Sequence, residues 1–555
     1  MQHSIRARAT AVKENVISKR KSSGWVLKKE TTSFAPPGTW TNLDTDVTPV
    51  ERRTWTSWTM LFYWFSDILT AQSWEGGSSV IEAGLTWREA LITLIMGIVI
   101  IVIPMVFNGA IGSRLHVSFP VAARSSFGFH FAKFAVVVRL CTALFWHSIQ
   151  TYSGSTAVTQ MIRAIWPSYL DIPNHLSASA GITTQGIVSH FIFWSIQFPF
   201  CLIAPHKMKW FFKMKVVVVL ATCIGTVAAM LTLAKGSSGE IWKQETTIHG
   251  SKRSWMIMAY MMSMAGGWST MATNIPDFTR YLKTSQGTYW QALFVPILST
   301  TIACFGMICT SCAKVVYGKY IWSPLDIAAE WTSPGGRAAA FFVGFSWAVA
   351  QIGVNVSANV ISASNDMSFL CPKYINLRRG AVITTLIGGW AMVPWKVVYS
   401  ATSFLNFMSA LTVFLAPCCA ILCSDFWVVK RRNIDIPALY RPYARYRFHA
   451  GFNWRAIVAI IVSIGPNMPG MVYAVNSKVP IGGAIYIYDM NFLYGFFSAF
   501  GTYCFLSFIW PARETLLQSC IYSDEDVIEG QHRNVSVDGD SDPQKYIPRE
   551  KVSPM

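Results

Sequence analysis

Asp67 is the one charged residue in the apolar stretch FYWFSDILTAQSW. A carboxylate near the centre of a lipid bilayer is costly, so an acid at such a depth is by default a functional-site hypothesis. The alternative is a structural aspartate that is satisfied by the backbone or by a neighbouring hydroxyl such as Ser66 or Thr70. The sequence leaves both interpretations open.

Trp146 and Gln150, in LFWHSIQTYSG, are four residues apart and therefore share one face of a helix. An indole face beside a carboxamide suits a flat ring that carries an amide, because the ring stacks on the indole and pairs its donor and acceptor with the carboxamide. Gln in a membrane helix also serves helix–helix contact, which is the competing interpretation.

Asn355 and Asn359, in AQIGVNVSANVISASND, are also one helical turn apart. Their amides are a second candidate for binding a polar ring edge. The small residues around them, such as Ser357 and Ala358, equally favour close packing between helices.

Arg139 is a cation inside an apolar stretch and therefore needs a partner. Asp366 or Asp277 is the candidate, and with Arg280 and Asn365 these residues would form a gate at the inner end of the helices. The alternative is an arginine that extends its head group to the membrane interface.

The stretch Ala265–Tyr281, AGGWSTMATNIPDFTRY, interrupts an apolar run with Gly266, Gly267 and Pro276. Glycine weakens a helix and an interior proline breaks one. In hydrocarbon such a break survives only where it lines a cavity or is buried in protein, and a broken helix is a pointer to a transporter's binding site. We predict that this helix is interrupted near mid-bilayer. No glycine or proline marks a similar break near Asp67.

The composition indicates a membrane protein. Of the 555 residues, 52% are hydrophobic and 13% are charged, against about 25% charged in soluble proteins. The net charge of +18 reflects basic residues between apolar segments, so we expect no nucleic-acid partner. Most cysteines lie inside apolar runs, which excludes a disulfide framework. No nucleotide-binding loop or hydrolase motif occurs in a suitable context, so an enzyme or a primary pump is disfavoured.

The apolar runs predict an all-α chain with twelve transmembrane helices and both ends inside. We place the helices near 55–75, 88–109, 132–165, 187–205, 209–234, 255–274, 288–316, 338–365, 380–395, 402–427, 455–475 and 488–510. The loops expected inside are rich in Lys and Arg, as the positive-inside rule requires. The 236–254 loop, which is expected outside, fits this rule least well. Residues 1–54 and 511–555 are expected to be cytoplasmic tails, the second one disordered.

Several longer stretches resemble one known family. They are RTWTSW after a polar tail, FWHSIQTYSG, GGWSTMATNIPDFTRY, SANVISASNDMSFLCPKYINLRRG and FNWRAIVAIIVSIGPNMPG. Together they resemble the nucleobase–cation symport-1 family, and most of all its fungal uracil/uridine/allantoin permease branch, over about residues 40–510. The resemblance implies a sodium-symporter (LeuT-like) fold: inverted five-helix repeats at about 55–234 and 255–427, two extra helices at about 455–510, and discontinuous spans 1 and 6.

The resemblance also implies a substrate site. Trp146 and Trp268 would hold a heterocycle between them, and Gln150 and Asn359 would hydrogen-bond its amide edge.

Sodium coupling is put in doubt by the eighth span. Bacterial relatives bind sodium partly through hydroxyl side chains there, whereas Gly353 and Val354 offer none. A proton is the better candidate, with Asp67 as its carrier, and no cofactor or metal is expected.

We therefore expect a plasma-membrane proton symporter for uracil, allantoin or a related purine or pyrimidine, with trafficking or ubiquitin machinery acting on the tails. The first alternative keeps the fold and carries thiamine, nicotinamide riboside or another vitamin. The second is a nutrient sensor that binds without transport.

Overall fold

The computed structural model describes residues 25–37, 39–203, 208–237 and 248–524, and within these ranges the chain is helical, with only isolated β-bridges. Most of both predicted tails therefore lies outside the described residues.

The first half of the described chain contains α1 (Ser57–Ile68), α2 (Ala71–Glu82), α3 (Trp87–Leu115), α4 (Phe119–Phe127), α5 (Ala132–Ile165), α6 (Thr184–Cys201), α7 (Lys209–Leu233), α8 (Gly250–Asn274) and α9 (Pro276–Thr279). The second half contains α10 (Gln286–Tyr289), α11 (Gln291–Tyr317), α12 (Pro324–Ala329), α13 (Pro334–Val354), α14 (Ile361–Leu370), α15 (Leu377–Trp390), α16 (Ala401–Ser424), α17 (Ile436–Leu439), α18 (Trp454–Val475), α19 (Ile485–Asp489) and α20 (Asn491–Ile509). Two π-helical segments, Asn355–Val360 and Asp425–Val429, continue α13 and α16.

Eight helices of the described ranges are long and apolar enough to cross a membrane. They are Trp87–Leu115, Ala132–Ile165, Trp210–Leu233, Gln286–Tyr317, Pro334–Leu370, Ala401–Val429, Trp454–Val475 and Asn491–Ile509. The other four predicted spans fall on α1 with α2, on α6, on α8 and on α15. Of these, α1 and α2 have 12 residues each and α15 has 14, so none of the three crosses a bilayer as one straight helix. The total of twelve spans stays a prediction.

The first span is interrupted between α1 and α2. Leu69 leaves the helical region (φ −72°, ψ 76°), and Thr70 is extended. Thr70 then caps α2, because its hydroxyl accepts a hydrogen bond from Ser73 N at 3.3 Å. The discontinuity of span 1 that the family resemblance implied is present, although no glycine or proline marks it.

The predicted break over Gly266–Pro276 is wrong at the two glycines, and the helix ends only just before Pro276. Helix α8 runs through both glycines to Asn274, and only Ile275 separates it from α9. A Cβ atom on Gly266 would lie 2.4 Å from Met408 O, so this glycine permits α8 to pack directly on the backbone of α16. Pro276 opens α9, where its missing N–H costs no intrahelical hydrogen bond.

The helices form two packed groups. Helices α2, α3 and α11 contact one another and α8 packs on α3, which makes the first group. Helices α5, α6, α13, α14 and α15 form the second group. The buried rings of Trp74 in α2 and Trp347 in α13 meet edge to face across the two groups, with centroids 6.1 Å apart. Helices α18 and α20 pack outside on α16. The cavity between the two groups is bounded on one side by the broken first span.

The segments that flank the helices lie together at one end of the molecule, here named the tail face (residues 42–54 and 511–524 with the loops they contact). Thr48 N donates to His116 O at 2.8 Å, and Trp55 N donates to Tyr281 O at 2.9 Å. Ile521 N donates to Ile434 O at 3.0 Å. The expectation of a disordered C-terminal tail is therefore wrong for residues 511–524, which pack against an inter-helix loop.

Gly112→Ala tests the contact between α3 and α9. The new Cβ would lie 2.6 Å from Pro276 Cα and 2.7 Å from Pro276 O, and this backbone has no rotamer with which to yield. We expect a loss of about 1–3 kcal/mol in stability, seen as a lower thermal midpoint of the purified protein in detergent. The control is Gly225→Ala in α7, where no atom lies within 4 Å of the new Cβ. Equal midpoints for the two variants would contradict the packing described here.

Candidate functional site

A cavity of about 100 Å³ lies where the interrupted first span faces α5, α8 and the π segment after α13. The residues predicted for substrate and proton are all in its lining: Asp67, Trp146, Gln150, Trp268 and Asn359. They come from four separate helical segments, so only the tertiary fold brings them together. Their roles remain predictions, and the structure supplies the common location that those roles require.

Each of the two indole rings of the cavity packs against another aromatic side chain. Trp268 meets Trp64 edge to face, with centroids 5.7 Å apart. Trp64 is itself fixed, because its Nε1 donates to Gln291 Oε1 at 2.9 Å. Trp146 meets Phe407 edge to face at 6.0 Å. The indole planes are therefore preorganised on opposite helix groups, as a stacking site for a flat ring requires.

The cavity contains polar atoms that lack partners within the described part of the chain. Trp146 Nε1, Gln150 Oε1 and Thr270 Oγ1 are buried and make no hydrogen bond. An unsatisfied buried polar atom costs about 1–3 kcal/mol. A bound molecule with matching donors and acceptors would remove that cost, so these atoms indicate a ligand site.

Asp67 is buried at the edge of the cavity, close to the end of α1. Its Oδ1 accepts a hydrogen bond from Ser357 Oγ at 3.4 Å. The local alternative does not apply, because Ser66 Oγ has no partner and the Thr70 hydroxyl serves the cap of α2. The carboxylate is therefore only weakly satisfied by hydrogen bonds.

Lys215 of α7 is fully buried and extends to the same region. Its Nζ donates to Ser66 O, one of the carbonyls that α1 leaves without an intrahelical partner at its C-terminus. Its charge attracts Asp67, although the two side chains form no direct salt bridge. A lysine ammonium thus lies at the negative end of a broken helix, where a cation is favoured.

Gly353 of α13 makes room for this lysine. A Cβ at this position would lie 2.6 Å from Lys215 Cδ and 3.2 Å from its Cε. Gly353 and Val354 offer no hydroxyl, as noted from the sequence. In the structure, the Lys215 side chain fills the space beside Gly353, between α1 and α13.

Arg139 and Asp366 form a salt bridge in which both side chains are 0% exposed. Arg139 Nη2 also donates to Ser362 O at 2.6 Å. The alternative of an arginine that extends to the membrane interface is wrong, because the side chain is buried. This ion pair joins α5 to α14 between the cavity and the tail face, which is the position that the predicted gate requires.

The other predicted gate residues surround this pair in different ways. Asp277 does not pair directly with Arg139; its Oδ1 accepts from Phe119 N at 2.8 Å at the start of α4. Arg280 Nη1 donates to Asp44 O at 2.9 Å, which ties the segment before the first span to α9. Asn365 is buried, and its Oδ1 has no partner in the described structure.

Sequence reasoning missed Lys215, Gln291 and Glu75. Lys215 follows Lys213 near the start of a span, and lysines there usually extend to the interface. Glu75 is buried in α2 and contacts Ser323, with Asp326 of α12 close by. Burial raises the pKa of Asp326, which lies outside the spans.

The chain matches the family described as permease for cytosine/purines, uracil, thiamine, allantoin over residues 47–495. The allantoin permease of Saccharomyces cerevisiae is 31% identical over 485 residues, which cover 85% of this chain and 76% of that protein. The uracil permease of the same organism is 31% identical over 482 residues, which cover 84% and 76%.

The chain belongs to this permease family. Its fold is similar to that of Mhp1, a nucleobase-cation-symport-1 family transporter solved in a closed conformation with bromovinylhydantoin bound. The TM-score is 0.69 at 21% identity, with 86% of this chain and 97% of Mhp1 covered. The permease is thus a multi-pass membrane transporter with the sodium-symporter fold, and it is not an enzyme.

Arg139→Met in this permease tests the buried ion pair. The substitution leaves Asp366 buried without its partner, so we expect a loss of about 3–5 kcal/mol in stability. Replacing Asp366 by Leu in the same protein should restore much of that loss, because no unpaired charge remains. Unfolding of the purified protein in mixed micelles measures both effects.

The matched control is Arg441→Met, which breaks a surface pair with Asp524 in which the side chains are 40% and 53% exposed. A loss of about 0–1 kcal/mol is expected there. If Arg139→Met proved no more costly than Arg441→Met, the buried pair would not join α5 to α14 as described.

Proposed function

We propose that this permease is a proton symporter that imports uracil, allantoin or a related purine or pyrimidine by alternating access. The observation that carries the proposal is the cavity in which two preorganised indoles, the carboxamides of Gln150 and Asn359 and the buried Asp67 meet beside a broken helix. The family and its allantoin and uracil permeases support the substrate class.

The substrate chemistry follows from the lining. Trp146 and Trp268 offer two aromatic faces to a flat ring, and Gln150 and Asn359 offer neutral donors and acceptors to its edge. The cavity of about 100 Å³ suits a one-ring or small two-ring compound. An uncharged lactam or imide matches this set.

The coupling step uses Asp67 and Lys215. With Asp67 ionised, the carboxylate attracts the Lys215 ammonium, which is held on Ser66 O. Protonation of Asp67 from outside removes that attraction. Once the cavity opens to the inside, the proton and the substrate leave there and Asp67 is ionised again. One charge moved through about 100 mV is worth about 2.3 kcal/mol, or about 40-fold in accumulation. Because Lys215 already supplies a positive charge at the end of α1, a sodium ion is not required there.

Alternating access then requires the Arg139–Asp366 pair to separate, so that the cavity opens toward the tail face. Asp277 lies on α9 and Arg280 follows it directly, and their contacts with α4 and residue 44 would rearrange when the pair separates. We place the tail face in the cytoplasm and the protein in the plasma membrane, with trafficking or ubiquitin machinery acting on the tails.

The alternative cargo is a vitamin, since the family description includes thiamine. Neutral carboxamides at Gln150 and Asn359 favour an uncharged amide ring over a thiazolium cation. Competition of labelled uracil uptake by allantoin and by thiamine separates the two cargoes. Binding of these compounds without uptake would instead indicate a sensor.

Asp67→Asn tests the coupling in a host that lacks its own permeases. The wild type should concentrate uracil, allantoin or a related base more strongly at acidic than at neutral pH. A protonophore should abolish this accumulation of substrate. The variant cannot carry the proton, so we expect its uptake to become non-concentrative and independent of pH. The control is Asp171→Asn, an exposed acid in the loop after α5. Full concentrative uptake by Asp67→Asn would refute the coupling step.

A further inference from the structure

Asn359 belongs to a chain of hydrogen bonds that leads away from the cavity into the protein. The chain, here named the amide relay, consists of Asn359, Asn355, Gln197 and Thr151, and it ends at His147 O. Thr151, Gln197 and Asn355 are each 0% exposed, whereas Asn359 is 9% exposed and lines the cavity. The relay joins α5, α6 and the π segment, so it is set by the tertiary fold.

The direction of the relay is fixed at its inner end. Thr151 Oγ1 donates its proton to His147 O at 2.8 Å. A backbone carbonyl only accepts, so the threonine oxygen can only accept from its other neighbours. Gln197 Nε2 donates to it at 2.8 Å, and Asn355 Nδ2 lies 3.2 Å away.

The orientation then passes from one amide to the next. With Nε2 facing Thr151, Gln197 presents Oε1 to Asn355, whose Nδ2 donates to it at 3.0 Å. Asn355 Nδ2 also points to His147 O at 3.3 Å. Asn355 therefore presents Oδ1 to Asn359, whose Nδ2 donates to it at 2.8 Å. Reversing any one amide would place two donors or two acceptors face to face in a buried site.

The outer end of the relay is the carbonyl oxygen of Asn359. Its Oδ1 makes no hydrogen bond in the described structure, and the residue lines the cavity, so Asn359 offers an acceptor to a bound ring. Gln150 has no such anchor, because its Oε1 is without a partner and it is free to present either end. The carboxamides predicted to bind substrate thus differ: Asn359 has a fixed direction and Gln150 adapts.

We propose that Asn355 is a positioning residue that locks Asn359 as a hydrogen-bond acceptor and thereby selects rings that carry N–H at the facing edge. This proposal rests on the proposed function, since it specifies the pattern that the same cavity reads. Asn355 does not touch the substrate: it is outside the cavity lining, and both ends of its amide are already bonded within the protein.

Uracil and cytosine are a matched pair for the test, because they have the same shape and opposite patterns at one edge. Uracil presents N3–H and a carbonyl, and cytosine presents an unprotonated N3 and an amino group. Hypoxanthine and adenine show the same contrast on a purine: hypoxanthine presents N–H and a carbonyl, as uracil does, and adenine resembles cytosine. Each ring is tested as an inhibitor of uptake of the best substrate in the host without permeases.

The wild type should favour the N–H ring of a pair by roughly tenfold or more, since the other ring leaves the Asn359 oxygen facing an acceptor. Asn355→Leu frees the Asn359 amide to rotate, so we expect the preference to fall to within roughly threefold while transport of the better ring persists. Thr151→Val removes the hydroxyl that orients Gln197 and should act in the same direction. If Asn355→Leu does not reach the membrane, Thr151→Val is used in its place.

The control is Ser346→Ala in α13, a fully buried hydroxyl without a hydrogen bond, and it should keep the wild-type preference. The preference ratio is the decisive readout, because a merely destabilised protein would lose uptake of both rings equally. An unchanged ratio in variants present at the membrane, or a wild type that shows no preference in either pair, would overturn the role of the relay. A wild type that takes up no ring at all would instead overturn the proposed function.

Discussion

The structure depends on the contact between the Lys215 ammonium and the carbonyl of Ser66. A helix that ends in the middle of a bundle leaves carbonyl groups that neither water nor lipid satisfies. Lys215 supplies a donor and a positive charge to that end of α1, and Gly353 leaves the space through which the side chain passes. The interruption of the first span is therefore stabilised by a lysine from α7, and the cavity lies beside this interruption.

This contact gives a physical reason for the chemistry of the region. A side chain from the fifth predicted span supplies the positive charge at this helix end. The proposed coupling assigns the change of charge to the neighbouring Asp67. Nearer the tail face, the Arg139–Asp366 pair is a second buried charged contact between helices, and it joins α5 to α14.

The sequence predicted the cavity residues because each carries its own local signal. Asp67, Trp146, Gln150 and Asn359 are polar or aromatic residues at helical spacing in apolar runs, and the family resemblance added Trp268. The sequence also predicted most helix positions, since apolar runs of bilayer length are a strong signal. It began the break of the sixth predicted span too early, because Gly266 and Gly267 permit close packing on α16 as readily as they weaken a helix.

The remaining features are long-range and have no local signature. The break after Ile68 follows from a threonine cap and from a lysine about 150 residues further along the chain. The amide relay likewise joins residues of three segments, and the sequence showed only its Asn355–Asn359 turn. Lys215 was missed, because burial of a lysine near a span end is decided by the helices packed around it.

The most direct test of the central claim is transport by the purified permease in proteoliposomes, with labelled uracil or allantoin and an imposed ion gradient. If Asp67 carries the coupling charge and Lys215 takes the place of a bound cation, an inward proton gradient should drive accumulation in the complete absence of sodium. An inward sodium gradient at equal pH should then drive none. Accumulation driven by sodium but not by protons would contradict the account.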